Sequence, residues 1–264
     1  MSDVSVLLRR ASEPMAQFRY ESDMIDVLSA ALPKLTFGRL TATDAQVFSE
    51  VPAVFGVPDL TAIRFDWDAV NARTRAGIRP LTTDAEVRVV LALGSKSLTS
   101  AELADRSGYS ADYVRRTVLP LLLDSGWVIH GDKGQLIRAA GAVWVSKRIV
   151  TVEAKLRDWS RALAQARRQR LSADAAFIAL QMPAPKSITE SLDRIAEGGI
   201  GVIGVDPDSH RARVLARPKA FPKTRSLLGR MLIAERCLDM WMRGEHAGQV
   251  YPVFGWTLPC DSAE

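Results

Sequence analysis

The sequence predicts an α/β (α+β) fold in which a mixed sheet is flanked by helices. Residues 149–152 are β-branched throughout and residues 175–180 are continuously apolar, which is typical of strands buried on both faces. Apolar residues at helical spacing occupy residues 21–32 and 156–171, before and after the first of these strands. Helices and strands therefore alternate along the chain, as in layered α/β proteins.

Near the N-terminus, the helix over residues 21–32 is predicted to end at Pro33, because proline lacks an N–H and its ring disfavours continuation. Residues 57–65 predict a strand with Asp59 close to its beginning. Residues 67–80 are mostly polar and include several arginines, so they predict an irregular connector.

The middle of the chain, residues 81–140, differs in character and predicts three short helices followed by a hairpin. Thr83, Thr99 or Ser100, and Ser110 each precede an apolar periodic segment and are suited to cap a helix. Four apolar positions of the third helix predict a buried stripe: Val114, Val118, Leu121 and Leu122. Residues 127–137 contain two short strand-like runs around a Gly-rich tip, which is the pattern of a hairpin.

The C-terminal part continues the alternation. Residues 188–196 predict a short helix, and residues 201–205 and 212–216 predict two strands joined by a turn. Residues 223–243 predict a long helix. Apart from the middle segment, the order is thus helix, strands, helix, strand, helix and hairpin.

Composition limits the class of protein. The 264 residues carry a formal net charge of +5 and a pI of about 9.4, which is compatible with a polyanionic partner. Cys237 and Cys260 are too few for a disulfide framework or a zinc cluster. The sequence shows neither a signal-peptide pattern nor an apolar run near the ~20 residues that span a bilayer. A cytoplasmic protein without a membrane partner is expected.

Three charged residues stand at the ends of predicted strands. Glu153 and Lys155 follow the β-branched run and are two residues apart, so both side chains project from the same face of an extended strand. Asp59 follows Pro58 and leads into the apolar run of the earlier strand. An acid after proline and a later Glu-x-Lys resemble the signature of the PD-(D/E)xK, or restriction-endonuclease-like, nuclease superfamily.

The resemblance implies a restriction-endonuclease-like core that hydrolyses phosphodiesters with Mg²⁺, which Mn²⁺ can replace. It implies that Asp59, Glu153 and the carbonyl of Ala154 are the metal ligands, in keeping with the preference of Mg²⁺ for oxygen. Lys155 would position or help to deprotonate the attacking water and offset the phosphate charge. A surface ion pair between Glu153 and Lys155 is the alternative, because Glu-x-Lys also occurs by chance.

Further residues are candidates for the same site. Gln165 lies on the helix after Lys155, where some families of this type have a glutamine near the active site; an exposed glutamine is the alternative. Glu21 opens the first helix, where the superfamily often has an acid that completes the metal site. An acid that interacts with the helix dipole is equally compatible. Glu50 is a weaker candidate of the same kind.

The three helices and hairpin of residues 81–140 resemble a winged helix-turn-helix domain. The resemblance implies that the third helix enters the major groove of DNA, with Tyr113, Arg115 and Arg116 towards the duplex. It also implies that Lys133, at the hairpin tip, contacts the DNA backbone. Protein contacts in place of DNA binding remain open, since many winged helices mediate them.

Arginines are frequent on the polar face of the helix over residues 156–171, and Arg157 and Arg161 are the ones nearest to Lys155. A solvated face and a DNA-binding groove are both compatible with this pattern. His130, His210 and His246 are isolated and show no metal-ligand spacing, so structural roles are expected.

The predicted domain organisation places the two halves of the nuclease-like core at residues 1–80 and 141–264, with the winged-helix insert at residues 81–140. The interval between Asp59 and the Glu-x-Lys is longer than such families usually have. A self-contained insert accounts for the difference, because a domain whose ends lie close together is tolerated within a surface hairpin.

Two functions follow from these motifs. The first is a metal-dependent DNA endonuclease that a winged helix positions on double-stranded DNA, in restriction, phage defence or repair. The second is a non-catalytic winged-helix DNA-binding regulator with a degenerate nuclease-like domain. RNA as the substrate is a third option. A homodimer is compatible with these functions, since many duplex cutters of this fold act as dimers.

Overall fold

The computed structural model describes residues 17–38, 44–219 and 225–248, so Cys260 lies outside the described residues. The helices in these ranges are α1 (Glu21–Phe37), α2 (Trp67–Arg75), α3 (Asp84–Leu93), α4 (Ser100–Ser107), α5 (consecutive segments Ala111–Tyr113, Val114–Val118 and Leu119–Asp124), α6 (Trp159–Gln169), α7 (Lys186–Thr189), α8 (Leu192–Glu197) and α9 (Leu227–Arg243). The strands are β1 (Ala45–Ser49), β2 (Leu60–Phe65), β3 (Val128–His130), β4 (Leu136–Arg138), β5 (Ser146–Lys155), β6 (Ala175–Gln181), β7 (Ile200–Asp206) and β8 (Arg211–Ala216). None of the described helices is long and apolar enough to cross a membrane.

One mixed sheet contains six of these strands, in the order β1-β2-β5-β6-β7-β8. The pairs β5–β6 and β6–β7 are parallel, and the other neighbours are antiparallel. Parallel pairs need crossover connections, which α6 supplies between β5 and β6, and α7 with α8 between β6 and β7. The predicted α/β class, with a mixed sheet flanked by helices, is confirmed at this level.

Helices cover apolar side chains on both faces of the sheet. On one face, Leu28 of α1 packs in the same buried cluster as Val152 of β5. On the other face, Ala166 of α6 packs with Ile178 of β6, and α9 contributes Ile233 to a cluster over β1 and β2. Alternate residues of a central strand therefore contact different helices, which explains why these strands are apolar throughout.

The segment between α2 and β5 forms the three predicted helices and the hairpin. Thr83, Thr99 and Ser110 cap α3, α4 and α5, because each side chain accepts the N–H of the residue three positions ahead. β3 and β4 pair antiparallel. Leu98 exchanges backbone hydrogen bonds of 3.1 and 2.7 Å with Leu136 of β4, so a third extended segment joins the hairpin.

This segment packs on the main layers through α9. Its apolar cluster includes Met231 and Leu232. A buried ion pair lies at the same junction: the Arg73 guanidinium donates to the two carboxylate oxygens of Glu235 at 2.6 and 2.8 Å, and the Leu81 amide donates to that carboxylate at 3.0 Å. Removal of either charged partner would leave the other buried and unpaired, which is strongly destabilising.

The prediction of an irregular connector over residues 67–80 was wrong, because Trp67–Arg75 is helical. The Asp66 carboxylate caps this helix by accepting the Ala69 N–H at 3.4 Å. Arg73 obscured the pattern, since it is only 1% exposed although it is charged. A helix whose inward face includes an ion-paired arginine does not show an apolar stripe in its sequence.

Pro33 does not end the first helix, which continues to Phe37. The proline removes one backbone hydrogen bond. However, Leu32 and Thr36 on either side of it are buried, and the Thr36 hydroxyl donates to the Leu32 carbonyl at 2.8 Å. Burial of the side chains after the proline favours continuation of the helix.

Leu121 was predicted to be buried and is 47% exposed, whereas Leu119 is buried. The segment Val114–Val118 is a π-helical turn, which adds a residue to one turn of α5 and rotates everything after it. The buried stripe therefore passes from Val118 to Leu119 and Leu122, and Leu121 faces outwards.

Candidate active site

The ends of β2 and β5 bring the predicted charged residues together. These strands are antiparallel, with Leu60 opposite Val152. The next step of the same register places Asp59 opposite Glu153, and opposite residues of an antiparallel pair project from the same face. Lys155, two residues beyond Glu153, projects from that face at the end of β5.

The Asp59 carboxylate is held by the backbone of β5 and lies near an ammonium group. Its Oδ2 accepts the Ala154 N–H at 2.6 Å and lies 3.8 Å from Lys155 Nζ. The carbonyl of Asp59 accepts the Glu50 N–H at 3.3 Å, so Glu50 contributes its amide to the position of Asp59. The Asp59 side chain is 29% exposed and is therefore accessible to a ligand.

Glu153 is the buried member of the acid pair, with no exposed surface. Its Oε1 accepts a hydrogen bond from the side-chain amide of Gln169 on α6. Its Oε2 is buried and accepts no N–H or O–H within the described part of the chain while both acids are ionised. When one acid is protonated, Asp59 and Glu153 hydrogen-bond to each other, and a bound cation would take the place of that shared proton.

The two acids disfavour simultaneous ionisation. Burial, followed by the negative charge of Asp59, raises the pKa of Glu153 to about 8. Burial also raises the pKa of Asp59, although the Ala154 hydrogen bond and the Lys155 charge oppose it. Two close carboxylates share one proton near neutral pH, and a divalent cation would displace that proton.

Lys155 is oriented by Glu21 at the beginning of α1. Glu21 Oε2 accepts a hydrogen bond from Lys155 Nζ at 2.8 Å, and its Oε1 accepts the Leu156 N–H at 3.5 Å. Burial acts to lower the pKa of Lys155, but the Glu21 hydrogen bond and the charge of Asp59 outweigh it and raise that pKa. Lys155 is therefore an ammonium at neutral pH.

A cleft of about 690 Å³ opens beside Lys155. The residues before α1, the loop that follows β5, the first turns of α6 and the end of β6 surround it. Predicted site residues form part of its lining: Glu21, Lys155, Arg157, Arg161 and Gln165. A ligand in this cleft would lie against the charged end of β5.

The donor set fits an Mg²⁺ site of low protein coordination. Within residues 17–38, 44–219 and 225–248, no group of three or more His, Cys, Asp or Glu side chains is placed to hold a metal ion. Asp59 and Glu153 provide two carboxylates, while Glu21 is ion-paired with Lys155. Mg²⁺ is commonly held by one or two carboxylates and completes its octahedron with water and substrate oxygens. Such an ion would lie between the carboxylates of Asp59 and Glu153, in place of the proton that they share.

Gln169, which the sequence analysis missed, is the glutamine that contacts Glu153. Gln165 lies one turn earlier and lines the cleft, with its Oε1 buried and unpartnered among the described residues. Residues four apart share a helix face, so the spacing of the two glutamines was an available signal. It does not tell which of them reaches the acid.

The residues predicted to contact DNA are exposed on α5 and at the hairpin tip. Tyr113 is 40% exposed. Arg115 forms an ion pair with Asp112 at 2.7 Å, and Arg116 lies 3.9 Å from the same carboxylate. Lys133 is exposed in the turn between β3 and β4. Asp112 thus offsets part of the positive charge of this surface.

The three histidines have surroundings that suit structural roles. His210 packs edge-on against Phe18, with ring centroids 6.1 Å apart, and His246 stacks on Phe48 at 5.6 Å. His130 is exposed on β3.

Compared with known proteins, the chain matches no protein-family model and no curated protein. The geometry of the strand ends and the chemistry of their side chains are what support a function.

Proposed function

We propose that this protein is a metal-dependent DNA endonuclease that hydrolyses phosphodiester bonds at Asp59, Glu153 and Lys155. The observation that carries the proposal is the acid pair at the ends of β2 and β5, in which the buried Glu153 faces Asp59 and the Lys155 ammonium lies 3.8 Å from Asp59 Oδ2. Two acids and a lysine at strand ends of a mixed sheet are typical of the restriction-endonuclease-like fold, to which we assign the core.

In this proposal, Asp59, Glu153 and the carbonyl of Ala154 hold Mg²⁺, or Mn²⁺ in its place. The bound cation supplies a water of lowered pKa and neutralises charge on the phosphate. The Gln169 amide keeps Glu153 oriented from α6, and the Ala154 amide keeps Asp59 oriented from β5. Both acids are therefore pre-positioned before substrate binds.

Lys155 acts in this proposal as a hydrogen-bond donor and a positive charge. Its raised pKa makes it an ammonium in the metal-free protein, and in this role it orients the attacking water and offsets phosphate charge. Glu21 is a positioning residue for Lys155. To serve as a metal ligand, the second role considered for Glu21, its carboxylate would have to leave the ammonium.

The function is tested by incubation of the full chain with supercoiled plasmid. Nicked and linear products are expected with Mg²⁺ or Mn²⁺, and none with EDTA, because the acid pair needs the cation to neutralise phosphate charge. Intact plasmid in every metal would remove the catalytic proposal.

We infer that residues 81–140 are a winged helix whose α5 binds double-stranded DNA. Arg115 and Arg116 extend from α5 into solvent, with 60% and 73% of their side chains exposed, and Tyr113 lies beside them. Arginine pairs well with phosphate and with guanine in the major groove. In the free protein both guanidinium groups lie close to the Asp112 carboxylate. Binding to DNA requires that they leave this carboxylate.

Removal of both arginines, in the double variant Arg115→Ala with Arg116→Ala, is expected to weaken duplex binding by about tenfold or more and to reduce the slope of affinity against salt by about two. Asp112→Asn is expected to strengthen binding a few fold, because it frees the two guanidinium groups. Fluorescence anisotropy with a short labelled duplex at several salt concentrations measures both effects. Arg194→Ala, exposed on α8, is the control for charge. Unchanged affinity in the double variant would contradict the assignment of α5.

A winged-helix regulator without catalysis is the second candidate. The observation that favours it is that, among the described residues, two carboxylates converge at the strand ends while a third, Glu21, is paired with Lys155. It predicts duplex binding without cleavage in any metal. For either candidate we place the protein in the cytoplasm, bound to double-stranded DNA. For the endonuclease, the setting is restriction, phage defence or repair, and homodimerisation would allow both strands to be cut.

A further inference from the structure

We propose that the cleft beside Lys155 binds an unpaired DNA strand, so that the endonuclease acts where strands are separated; this inference rests on the proposed function. The cleft lies at the end of β5, where Lys155 lines it; Asp59 and Glu153 are not part of its lining, and Lys155, 3.8 Å from Asp59 Oδ2, connects the two. Its occupant would be the one or two nucleotides adjoining the phosphate that is cut.

The charge of the cleft suits a polyanion. Four cationic side chains line it, Arg19, Lys155, Arg157 and Arg161, against the two acids Glu21 and Asp158. Within the described residues, none of the three arginines forms an ion pair. Guanidinium groups without an ion-pair partner are suited to bind phosphate, because two N–H groups of one guanidinium can donate to two oxygens of one phosphate. The charge of Arg161 interacts with the Asp158 carboxylate without an ion pair, and Arg19 lies over the Tyr20 ring at 5.2 Å, whereas Arg115 is ion-paired with Asp112 at 2.7 Å.

The cleft also carries groups that hydrogen-bond to bases. Gln165 of α6 lines the cleft, and its Oε1 is buried and has no hydrogen-bond partner among the described residues. Gln17 and Gln181 also line the cleft. An amide offers both donors and acceptors, which the edge of an unpaired base requires. In a paired duplex those edges are already engaged with the opposite strand.

Shape separates a single strand from a duplex. A volume of about 690 Å³ lies within the range of roughly 300–1,000 Å³ that encloses small-molecule ligands. A duplex presents a groove about 12 Å wide that protein elements enter. Beside Lys155 the protein instead has a recess that the ligand must enter. A nucleotide splayed out of the stack fits this recess, whereas a base-paired segment does not.

The test measures strand binding without cleavage, in a full-length background that carries Asp59→Asn with Arg115→Ala and Arg116→Ala. The probe is a fluorescein-labelled oligothymidine of about eight nucleotides in EDTA, followed by anisotropy. Arg157→Ala and Arg161→Ala are each expected to weaken binding about tenfold, the loss of one charge-assisted contact. Arg168→Ala, an exposed arginine of α6 outside the cleft, is the matched control and should change affinity less than twofold.

A hairpin duplex of similar length is expected to compete at least tenfold less well than unlabelled oligothymidine. Equal loss in Arg161→Ala and Arg168→Ala, or equal competition by the duplex, would overturn the proposal. Metal-dependent plasmid cleavage with no strand binding would remove the cleft assignment and leave the nuclease proposal intact. Strand binding by a protein that does not cleave DNA with any metal would support the cleft assignment and remove the nuclease proposal.

Discussion

Asp59→Asn is expected to lower the rate of Mg²⁺-dependent plasmid cleavage by about 10³-fold, because an amide keeps the size of the side chain but removes the charge that binds the cation. Lys155→Met is expected to lower it by about 10²-fold or more, since it removes the only ammonium that the described structure places within 4 Å of Asp59. Initial rates of supercoil loss measure both effects.

Matched controls separate loss of chemistry from loss of folding. Asp26→Asn and Lys34→Met alter exposed residues of α1 by the same chemical changes and should leave the rate within twofold. Thermal melting of all four variants shows whether the folded state persists. Wild-type rates in Asp59→Asn or Lys155→Met would exclude the assigned site.

Glu153→Gln is expected to stabilise the metal-free protein at pH 8 although it abolishes activity. In the unfolded chain Glu153 ionises near 4.5, whereas in the folded protein its pKa is about 8. The folded state therefore retains a proton that the unfolded state has lost, and wild-type stability falls as pH rises from about 4.5 to about 8. Each pKa unit is worth about 1.4 kcal/mol, so the rise of the Glu153 pKa from 4.5 to about 8 corresponds to a gain of roughly 4–5 kcal/mol.

Urea denaturation in EDTA at pH 5 and pH 8 measures this effect. The variant should be the more stable protein at pH 8, and the difference should shrink at pH 5, because that pH is only about half a unit above the unfolded-state pKa of Glu153 and little of the pH-dependent loss of stability has developed. Excess Mg²⁺ should restore much of the wild-type stability at pH 8 and affect the variant less. Glu190→Gln, at an exposed position, is the control. Destabilisation by Glu153→Gln at pH 8 would mean that the burial of this acid is already compensated without a cation.

The sequence predicted the elements whose local signals agree with their burial. The β-branched run before Glu153 became a strand covered on both faces, and the caps at Thr83, Thr99 and Ser110 begin helices as expected. Helix α2 escaped prediction because Arg73 carries its charge inwards, where only a partner distant in sequence makes it tolerable. The π-helical turn of α5 was also not predicted, because it shifts the phase of the apolar pattern and no residue in the sequence signals it.

The candidate site was predictable as a set of charged residues but not as a contact list. Alternation along a strand places Glu153 and Lys155 on one face, yet the pairing that brings Asp59 opposite Glu153 depends on the register of β2 with β5. The pairing of Glu21 with Lys155 depends on how α1 packs across the sheet. Gln169 was indistinguishable from Gln165 by spacing alone, because the length and tilt of α6 decide which amide reaches the acid.

Binding of Mn²⁺ to the full chain without DNA, followed by electron paramagnetic resonance, tests the acid pair most directly. A single bound ion is expected in the wild type and in Asp26→Asn, with loss of binding in Asp59→Asn and in Glu153→Gln. Failure of the wild type to bind Mn²⁺, or equal binding by all four proteins, would contradict a cation site between β2 and β5.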